Sequence, residues 1–314
     1  MSVKPKSGSR NTRRRNLLIT ILVTVLVAAS LFAYIMVMNN DSNHVKTEAE
    51  LINAIEKAPY EKSVVIILDN DITLSRGTLV IPVSKSITLT SKNNVEIFKL
   101  ISATSYTTID VKGELILDGL CVTHTADTTG MGVVVHTGGA FTMYNSEISN
   151  NNAGGVSNSG TFKMYSGTIS NNVGGPAGMS VGGVFNGGTF EMYGGKISGN
   201  IVETIQGGGV YNSGTFIMSG GEISGNKAKY SGGGVANWSS GIFEMSGGKI
   251  SDNTALYGGG VNNWSHFNMT GGTITNNTAE LGGGVYNSGT FKSPGGTISG
   301  NSAAQYDNDV YNNT

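Results

Sequence analysis

The chain has few cysteines, prolines and charged residues, and each shortage excludes a type of fold or a type of partner. Cys121 is the one cysteine in 314 residues, so no intramolecular disulfide can hold the fold and packing and backbone hydrogen bonds must do so. Only 5 prolines accompany 47 glycines, which recur in fixed columns beside apolar residues and therefore argue against a disordered linker. No basic patch follows residue 16, so we expect no nucleic-acid partner.

The N-terminal residues differ from the rest. Residues 1–16 carry cations and no acid, and residues 17–38 carry no charged side chain. A run of that length can cross a hydrocarbon core of ~30 Å, and positive flanks stay in the cytoplasm. The sequence thus predicts a basic cytoplasmic tail at 1–16, a transmembrane helix at 17–38, a linker at 39–46 and an extracellular domain at 47–314. That is a single-pass protein of the cell membrane with a cytoplasmic N-terminus and an extracellular C-terminus.

A cleaved secretory signal is the alternative for this segment. Val27, Ala28 and Ala29 form a possible cleavage site. Either interpretation exports the C-terminal residues.

A repeat of 21 to 28 residues fills the chain from Phe141 onward. Each unit has a Phe and, seven residues later, an Ile. The Phe residues are Phe141, Phe162, Phe190, Phe216, Phe243, Phe267 and Phe291. The matching Ile residues are Ile148, Ile169, Ile197, Ile223, Ile250, Ile274 and Ile298. A third column is Val156, Val184, Val210, Val235, Val261, Val285 and Val310. A period in the twenties around fixed apolar positions is typical of a solenoid.

The spacing within a unit predicts three short strands. Phe and the Met two residues later share one face of a strand, whereas Ile lies at an odd offset and needs an intervening turn, which paired glycines such as Gly194 and Gly195 supply. No helical period separates the columns. We predict an all-β fold, a right-handed parallel β-helix of about ten coils with three short strands each.

Asn occupies two further columns, three residues after each Ile and two after each Val. An amide donates and accepts, so stacked copies can hydrogen-bond along the solenoid axis. We prefer this structural interpretation to a ligand site built from Asn side chains.

Weaker coils precede Phe141, and both ends look capped. Leu115, Leu117 and Val122 take the Phe, Met and Ile offsets, and Val135 fits the Val column. Residues 47–50 predict a capping box that opens a helix over the first coil. In the last coil Pro294, and Asp309 in place of a glycine before Val310, oppose edge-to-edge association, and we therefore expect a natural end at Thr314.

The repeat strings resemble a known group. They are 207–212 (Gly-Gly-Gly-Val-Tyr-Asn), 223–228 (Ile-Ser-Gly-Asn-Lys-Ala) and 282–287 (Gly-Gly-Gly-Val-Tyr-Asn). These are similar to repeats of right-handed β-helix proteins of the pectate-lyase-like superfamily, above all of adhesin-like surface proteins. The resemblance implies the fold over 47–314 and leaves activity open, because the superfamily includes lyases, hydrolases and proteins without known catalysis.

Catalysis has little support in the residues. The resemblance implies an arginine base for a lyase, and no arginine follows Arg76. A glycoside hydrolase would need paired carboxyl groups, for which Glu191 and Glu244 are two layers apart in one outward column. A weak calcium site at Asp110, Glu114 and Asp118 is a further alternative, and we expect no cofactor and no metal centre.

Outward aromatic residues are the stronger candidates for binding. Tyr144, Tyr165 and Tyr193 form one column and Trp238 and Trp264 another, and exposed aromatic surface often marks binding. Ring stacking that only stabilises neighbouring coils is the alternative. The longest insertion, residues 173–181, is expected to project beside Tyr165 and Tyr193.

The sequence therefore predicts a membrane-anchored, adhesin-like surface protein whose rod contacts a surface glycan or another cell-envelope partner without catalysis. A polysaccharide lyase or glycoside hydrolase is the first alternative, and a structural spacer that recognises no partner is the second.

Overall fold

The apolar columns pair with themselves in a parallel β-solenoid of about ten turns. The computed structural model describes residues 43–91, 97–175, 181–203, 206–238 and 240–313. Val45–Thr314 forms one compact unit. Within it the chain visits three sheets in turn, which we call the Phe, Ile and Val sheets after their inward columns.

Each sheet stacks equivalent strands of successive coils, in parallel and in register. The Phe sheet contains His44–Val45, Ser63–Leu68, Ser86–Ser91, Glu114–Asp118, Ala140–Tyr144, Thr161–Met164, Thr189–Met192, Thr215–Met218, Ile242–Met245, His266–Met269 and Thr290–Lys292. The Ile sheet contains Ile72–Leu74, Phe98–Ser102, Leu120–His124, Glu147–Ser149, Thr168–Ser170, Lys196–Ser198, Glu222–Ser224, Lys249–Ser251, Thr273–Thr275 and Thr297–Ser299. The Val sheet contains Leu79–Ile81, Ile109–Val111, Val133–Val135, Val156–Asn158, Val184–Asn186, Val210–Asn212, Val235–Asn237, Val261–Asn263, Val285–Asn287 and Val310–Asn312.

A fourth set of shorter strands lies between the Ile and Val sheets. The prediction of three strands per coil did not include it. Ile201–Val202 pairs with Lys227–Ala228, and Thr278–Leu281 pairs with Ser302–Tyr306. Bridges through Thr254 connect the two pairs into one column. We call this column the fourth side.

The interior is a set of continuous stacks. Neighbouring Phe rings from Phe141 to Phe291 have centroids 4.6–4.9 Å apart and planes within 20° of each other. The Met, Ile and Val columns beside them are fully buried, except in the last coil. Because a lone coil could bury none of these side chains, the hydrophobic stabilisation belongs to the stack.

The Asn columns form two buried ladders of hydrogen bonds, as predicted. Asn172 Nδ2 donates to Asn200 Oδ1 at 2.9 Å and to the Ile148 carbonyl oxygen at 2.9 Å. The Asn172 backbone N–H also donates to Asn200 Oδ1, at 3.0 Å. In the second ladder Asn186 Nδ2 donates to Asn212 Oδ1 at 2.8 Å. A buried amide with its bonds satisfied is structural, so the buried Asn side chains of the ladders are not free to bind a ligand.

The glycine turns are required by close packing. Gly195 has φ +81°, and a Cβ there would lie 2.6 Å from Met164 Cε of the preceding coil. Only glycine meets both conditions, the left-handed backbone and the missing volume.

The predicted capping helix is Glu48–Lys57. Thr47 Oγ1 accepts from the Glu50 N–H, and Glu50 in return accepts from the Lys46 N–H at 2.7 Å, so the capping box is displaced by one residue. Leu51 and Ile55 are buried in the core of the first coils. The cap thus covers apolar surface at this end.

A carboxylate fastens the helix to the first coil. Glu48 accepts hydrogen bonds from the Ser75 and Arg76 N–H groups, both at 3.0 Å, and from Ser75 Oγ at 2.9 Å. Burial opposes ionisation, but these bonds and the Arg76 charge together lower the pKa of Glu48 below its usual value.

The register of one early coil corrects the sequence prediction. Val133, not Val135, pairs with Val156 in the Val column, and Val135 pairs with Asn158. Both valines are buried, and the coil simply has two more residues between its Val column and Phe141. The offsets predicted for Leu115, Leu117 and Val122 are confirmed.

The membrane prediction is corrected as well. In the part of the chain that the structure describes, no helix is long and apolar enough to span a bilayer. The 10 residues of Glu48–Lys57 give about 15 Å of helix, half the thickness of a ~30 Å hydrocarbon core, and they include charged residues. The predicted segment 17–38 and the tail 1–16 lie outside the described residues. A single-pass location in the cell membrane is therefore not supported.

Candidate functional site: outward aromatic columns

The three predicted tyrosines do lie together. Tyr144, Tyr165 and Tyr193 directly follow the Met column, at the turn from the Phe sheet to the Ile sheet. Their ring centroids are 4.9 and 4.7 Å apart with planes 11° and 14° from parallel. Tyr165 is 39% and Tyr193 44% exposed. We call this column the Tyr strip.

The stacking geometry limits what the Tyr strip can offer. Parallel rings at these distances overlap, so each ring covers part of its neighbour's face. Tyr193 ends the stack at the later coil, because the next coil has Ser219 after Met218, and Tyr144 ends it at the earlier coil, where its partner is Asp118. Among the described residues neither end ring meets a further ring on its outer face. Of these two end rings Tyr193 is the more exposed, at 44%, whereas Tyr144 is half-buried, so the main open aromatic face of the strip is that of Tyr193.

A polar row runs beside the strip. Thr142, Lys163 and Glu191 pair in register on the outward face of the Phe sheet, two residues before each tyrosine. Lys163 Nζ lies 3.4 Å from Glu191 Oε2, and Tyr193 Oη donates to the same oxygen at 2.8 Å. The row thus presents both donors and acceptors next to the rings.

The same contact holds the Tyr193 phenol in place. Its hydrogen bond to Glu191, and after that burial and the Glu191 charge, raise the pKa of Tyr193 to about 12. The phenol is therefore neutral and remains a donor to Glu191 well above neutral pH.

The two tryptophans form a separate pair. Trp238 and Trp264 lie in the turn from the Val sheet to the Phe sheet, with centroids 4.7 Å apart and planes 50° from parallel. Trp264 is 43% exposed. This turn lies at the other end of the Phe-sheet strands from the Tyr strip, in later coils. The structure does not unite the two aromatic sets in one site.

The carboxylates considered for catalysis have other partners. Ile217 lies between Glu191 and Glu244 in the column, as the sequence predicts. Glu244 Oε2 accepts from Asn268 Nδ2 at 2.7 Å, and Glu191 is held by Lys163 and Tyr193. Neither carboxylate faces the other across an open space for a sugar.

The acidic residues considered for a calcium site are not gathered in one place. Asp110 is on the Val sheet, 3.4 Å from His136 Nε2, whereas Asp118 is on the Phe sheet and accepts from Asn145 Nδ2. Burial, followed by the nearby Glu147 charge, raises the pKa of the Cys121 thiol to about 11. Among the described residues no three His, Cys, Asp or Glu side chains are grouped to hold a metal ion.

The insertion at 173–181 starts away from the Tyr strip. Its first residue, Val173, pairs with Ile201 on the fourth side. Residues 176–180 lie outside the described residues. The expectation that the insertion projects beside Tyr165 and Tyr193 is not supported by its described part.

Sequence reasoning missed a groove on the fourth side. It has a volume of about 550 Å³ and runs between two rows of outward side chains across four coils. Its floor follows the residues two after each ladder Asn, which are Val202, Ala228, Ala255 and Ala279. The recurrence of Ala at this offset was the available signal.

Comparisons with family models, with curated proteins and with solved structures give no match for this chain. The resemblance to β-helix proteins of the pectate-lyase-like superfamily therefore depends on the repeat strings, and the fold shown is a parallel β-solenoid.

Proposed function

We propose that this chain is a non-catalytic, adhesin-like β-helix protein whose solenoid contacts a surface glycan through the Tyr strip. The right-handed sense expected for parallel crossovers and the kinship with pectate-lyase-like proteins are parts of this proposal. The observation that carries it is the open face of Tyr193 beside the polar row of Thr142, Lys163 and Glu191.

The chemistry of the surface fits a sugar. A pyranose has an apolar face of C–H groups and an edge of hydroxyls. Tyr193 offers an aromatic face for the first, and Lys163 and Glu191 offer a donor and an acceptor for the second. The ring is already fixed by stacking on Tyr165 and by its bond to Glu191, so little conformational entropy is lost on binding.

The Trp pair is the second contact in the proposal. Trp264 is followed one coil later by Ser288, so it also has an outer side without a ring beyond it. Its distance from the Tyr strip means that one short ligand cannot use both. A polymeric glycan lying along the surface could engage each independently.

A glycan array probed with the full chain tests the proposal. Tyr193→Ala removes the ring that stacks on the sugar. Its affinity for a defined glycan should therefore fall by about tenfold or more, which is the size of effect expected when an aromatic contact is lost. Tyr106→Ala is the matched control, because Tyr106 is an exposed tyrosine outside the strip. Trp264→Ala removes the exposed ring of the Trp pair and leaves the Tyr strip intact, so its binding shows how much each aromatic set contributes.

No binding by a correctly folded chain to any glycan would contradict the proposal. So would equal losses in Tyr193→Ala and Tyr106→Ala, since the effect would then not be specific to the strip.

A further inference from the structure

The groove on the fourth side has walls of distinct chemistry. One row consists of Ile201, Lys227, Thr254 and Thr278, which pair coil to coil, and the other of Glu203, Lys229, Leu256 and Glu280. The two rows are two residues apart along each strand, or about 6.6 Å, and four coils span about 14 Å along the axis. A slender ligand lying along the axis fits this shape.

Its two lysines belong to one coil and form no ion pair with a described residue. Lys227 and Lys229 flank Ala228, and among the described residues neither ammonium has a carboxylate within 4 Å. Lys229 Nζ instead lies 5.3 Å from the centre of the Tyr230 ring, and this cation–π contact stabilises the charged ammonium. The coil that contains Lys227 and Lys229, the second of the four that line the groove, can therefore bind one anionic group.

The charge reverses on either side of that coil. Glu203 follows Val202, which pairs with Ala228, so it adjoins Lys229 one coil earlier. Glu280 lies two coils later in the same row, beyond Leu256. Both acids are exposed, and a second anionic group placed next to either would be repelled.

Hydroxyl and apolar contacts complete the lining. Thr254 and Thr278 are exposed and supply hydroxyls that donate and accept. Leu256 and Ile201 are half-buried and supply apolar surface. Mixed lining of this kind matches a sugar better than a wholly apolar chain, and a groove of this volume is within the usual range for ligand sites.

We propose that the groove binds a short linear oligosaccharide that carries one acidic sugar, whose carboxylate lies between Lys227 and Lys229, with neutral sugars on both sides. Lys227 and Lys229 bind the carboxylate, Thr254 contacts the hydroxyls of the neutral sugar that follows, and Thr278 contacts those of a further sugar in a longer chain. Glu203 and Glu280 exclude uniformly acidic chains. The site is separate from the Tyr strip, and the two can fail independently.

Titration calorimetry of the full chain with three trisaccharides tests the specificity. The probes are one glucuronate flanked by two neutral hexoses, neutral cellotriose and uniformly acidic trigalacturonate. We expect the singly acidic probe to bind at least about fivefold more tightly than either of the others, the size of one exposed charge interaction. Equal affinities for all three, or no binding of the singly acidic probe, would overturn the proposal.

Variants assign the binding to the groove. Lys227→Gln/Lys229→Gln should weaken the singly acidic probe by roughly tenfold, whereas Lys292→Gln, an exposed lysine outside the groove, should not. Glu203→Gln/Glu280→Gln should raise the affinity for trigalacturonate and leave cellotriose unchanged. All substituted positions are exposed, so circular dichroism should show the native fold.

One further variant separates the two sites. Tyr193→Ala should leave trisaccharide binding in the groove unchanged even where it abolishes glycan binding at the Tyr strip. An equal loss of trisaccharide affinity in Tyr193→Ala would place the ligand at the strip and contradict the groove assignment.

Discussion

The inward and outward sides of the same strands follow different rules. Inward, Phe stacks on Phe, Met on Met and Asn on Asn through the later coils, with almost no variation. Outward, one column of the Phe sheet changes from Thr to Lys, Glu, Ile, Glu, Asn and Lys. The interior has to be uniform because each side chain is packed on its own copy, whereas the surface is free to vary and can carry binding sites.

Stacking alone does not separate the two sides. Tyr144, Tyr165 and Tyr193 stack outside at the same spacing as Phe rings inside. What differs is burial, because the Phe rings are fully buried and the tyrosines are not. Changes to matched inward and outward residues can therefore measure what burial adds.

The largest effect is expected from an inward Asn. Asn200→Ala should lower the free energy of unfolding by about 3 to 5 kcal/mol, since it leaves the backbone N–H and Nδ2 of Asn172 without their shared acceptor and the Ile169 carbonyl without a donor. Urea unfolding followed by circular dichroism measures this loss.

Asn268→Ala is the outward counterpart. Asn268 is half-exposed, and among the described residues its amide bonds only to Glu244, so we expect a loss of about 0.5 kcal/mol or less. Equal losses for Asn200→Ala and Asn268→Ala would show that the ladder adds nothing beyond a surface hydrogen bond.

A smaller difference is expected for the two stacks of rings. Phe216→Leu breaks two stacks with centroids 4.8 Å apart and leaves a gap in the core, so we expect a loss of about 1 to 3 kcal/mol. Tyr165→Leu also breaks two stacks, but in solvent, and should cost about 1 kcal/mol or less. Melting temperatures of the two variants rank them, and a larger loss in Tyr165→Leu would mean that the Tyr strip is mainly structural.

The sequence predicts the inward side well because register repeats there. The Phe, Ile, Val and Asn columns, the capping helix and the ladders all follow from spacing, since an odd or even offset decides which face a residue takes. The early coil at Val133 and Val135 was assigned wrongly for the same reason. Both residues are apolar two positions apart, so either satisfies the pattern and only the length of the following turn distinguishes them.

The outward side is less predictable from spacing. That Tyr144, Tyr165 and Tyr193 share a column could be predicted, but not that their rings overlap and leave outer faces only at the ends of the stack. The fourth side was missed because its strands are as short as two residues and its inward positions are mostly Ala, which gives a weak hydrophobic signal. The groove results from side chains that share no repeat, such as Lys227 and Glu280.

The smallest effect concerns a single outward hydrogen bond and is read spectroscopically. Glu191→Gln removes the carboxylate that chiefly raises the pKa of Tyr193 to about 12, so the phenol should ionise closer to its usual pKa of about 10. The ultraviolet absorbance of tyrosinate over an alkaline titration follows this change, with Tyr193→Phe identifying the signal.

Because the pKa of Tyr193 is raised in the folded state, the contact with Glu191 stabilises the fold fully below pH ~10, and this stabilisation is lost as the pH rises through about 12. With Tyr193 44% exposed, Glu191→Gln should barely alter the melting temperature at neutral pH. If Glu191→Gln instead lowered the free energy of unfolding as much as Asn200→Ala, the outward side would share the inward side's role in holding the solenoid, and the surface would not be free to carry a site.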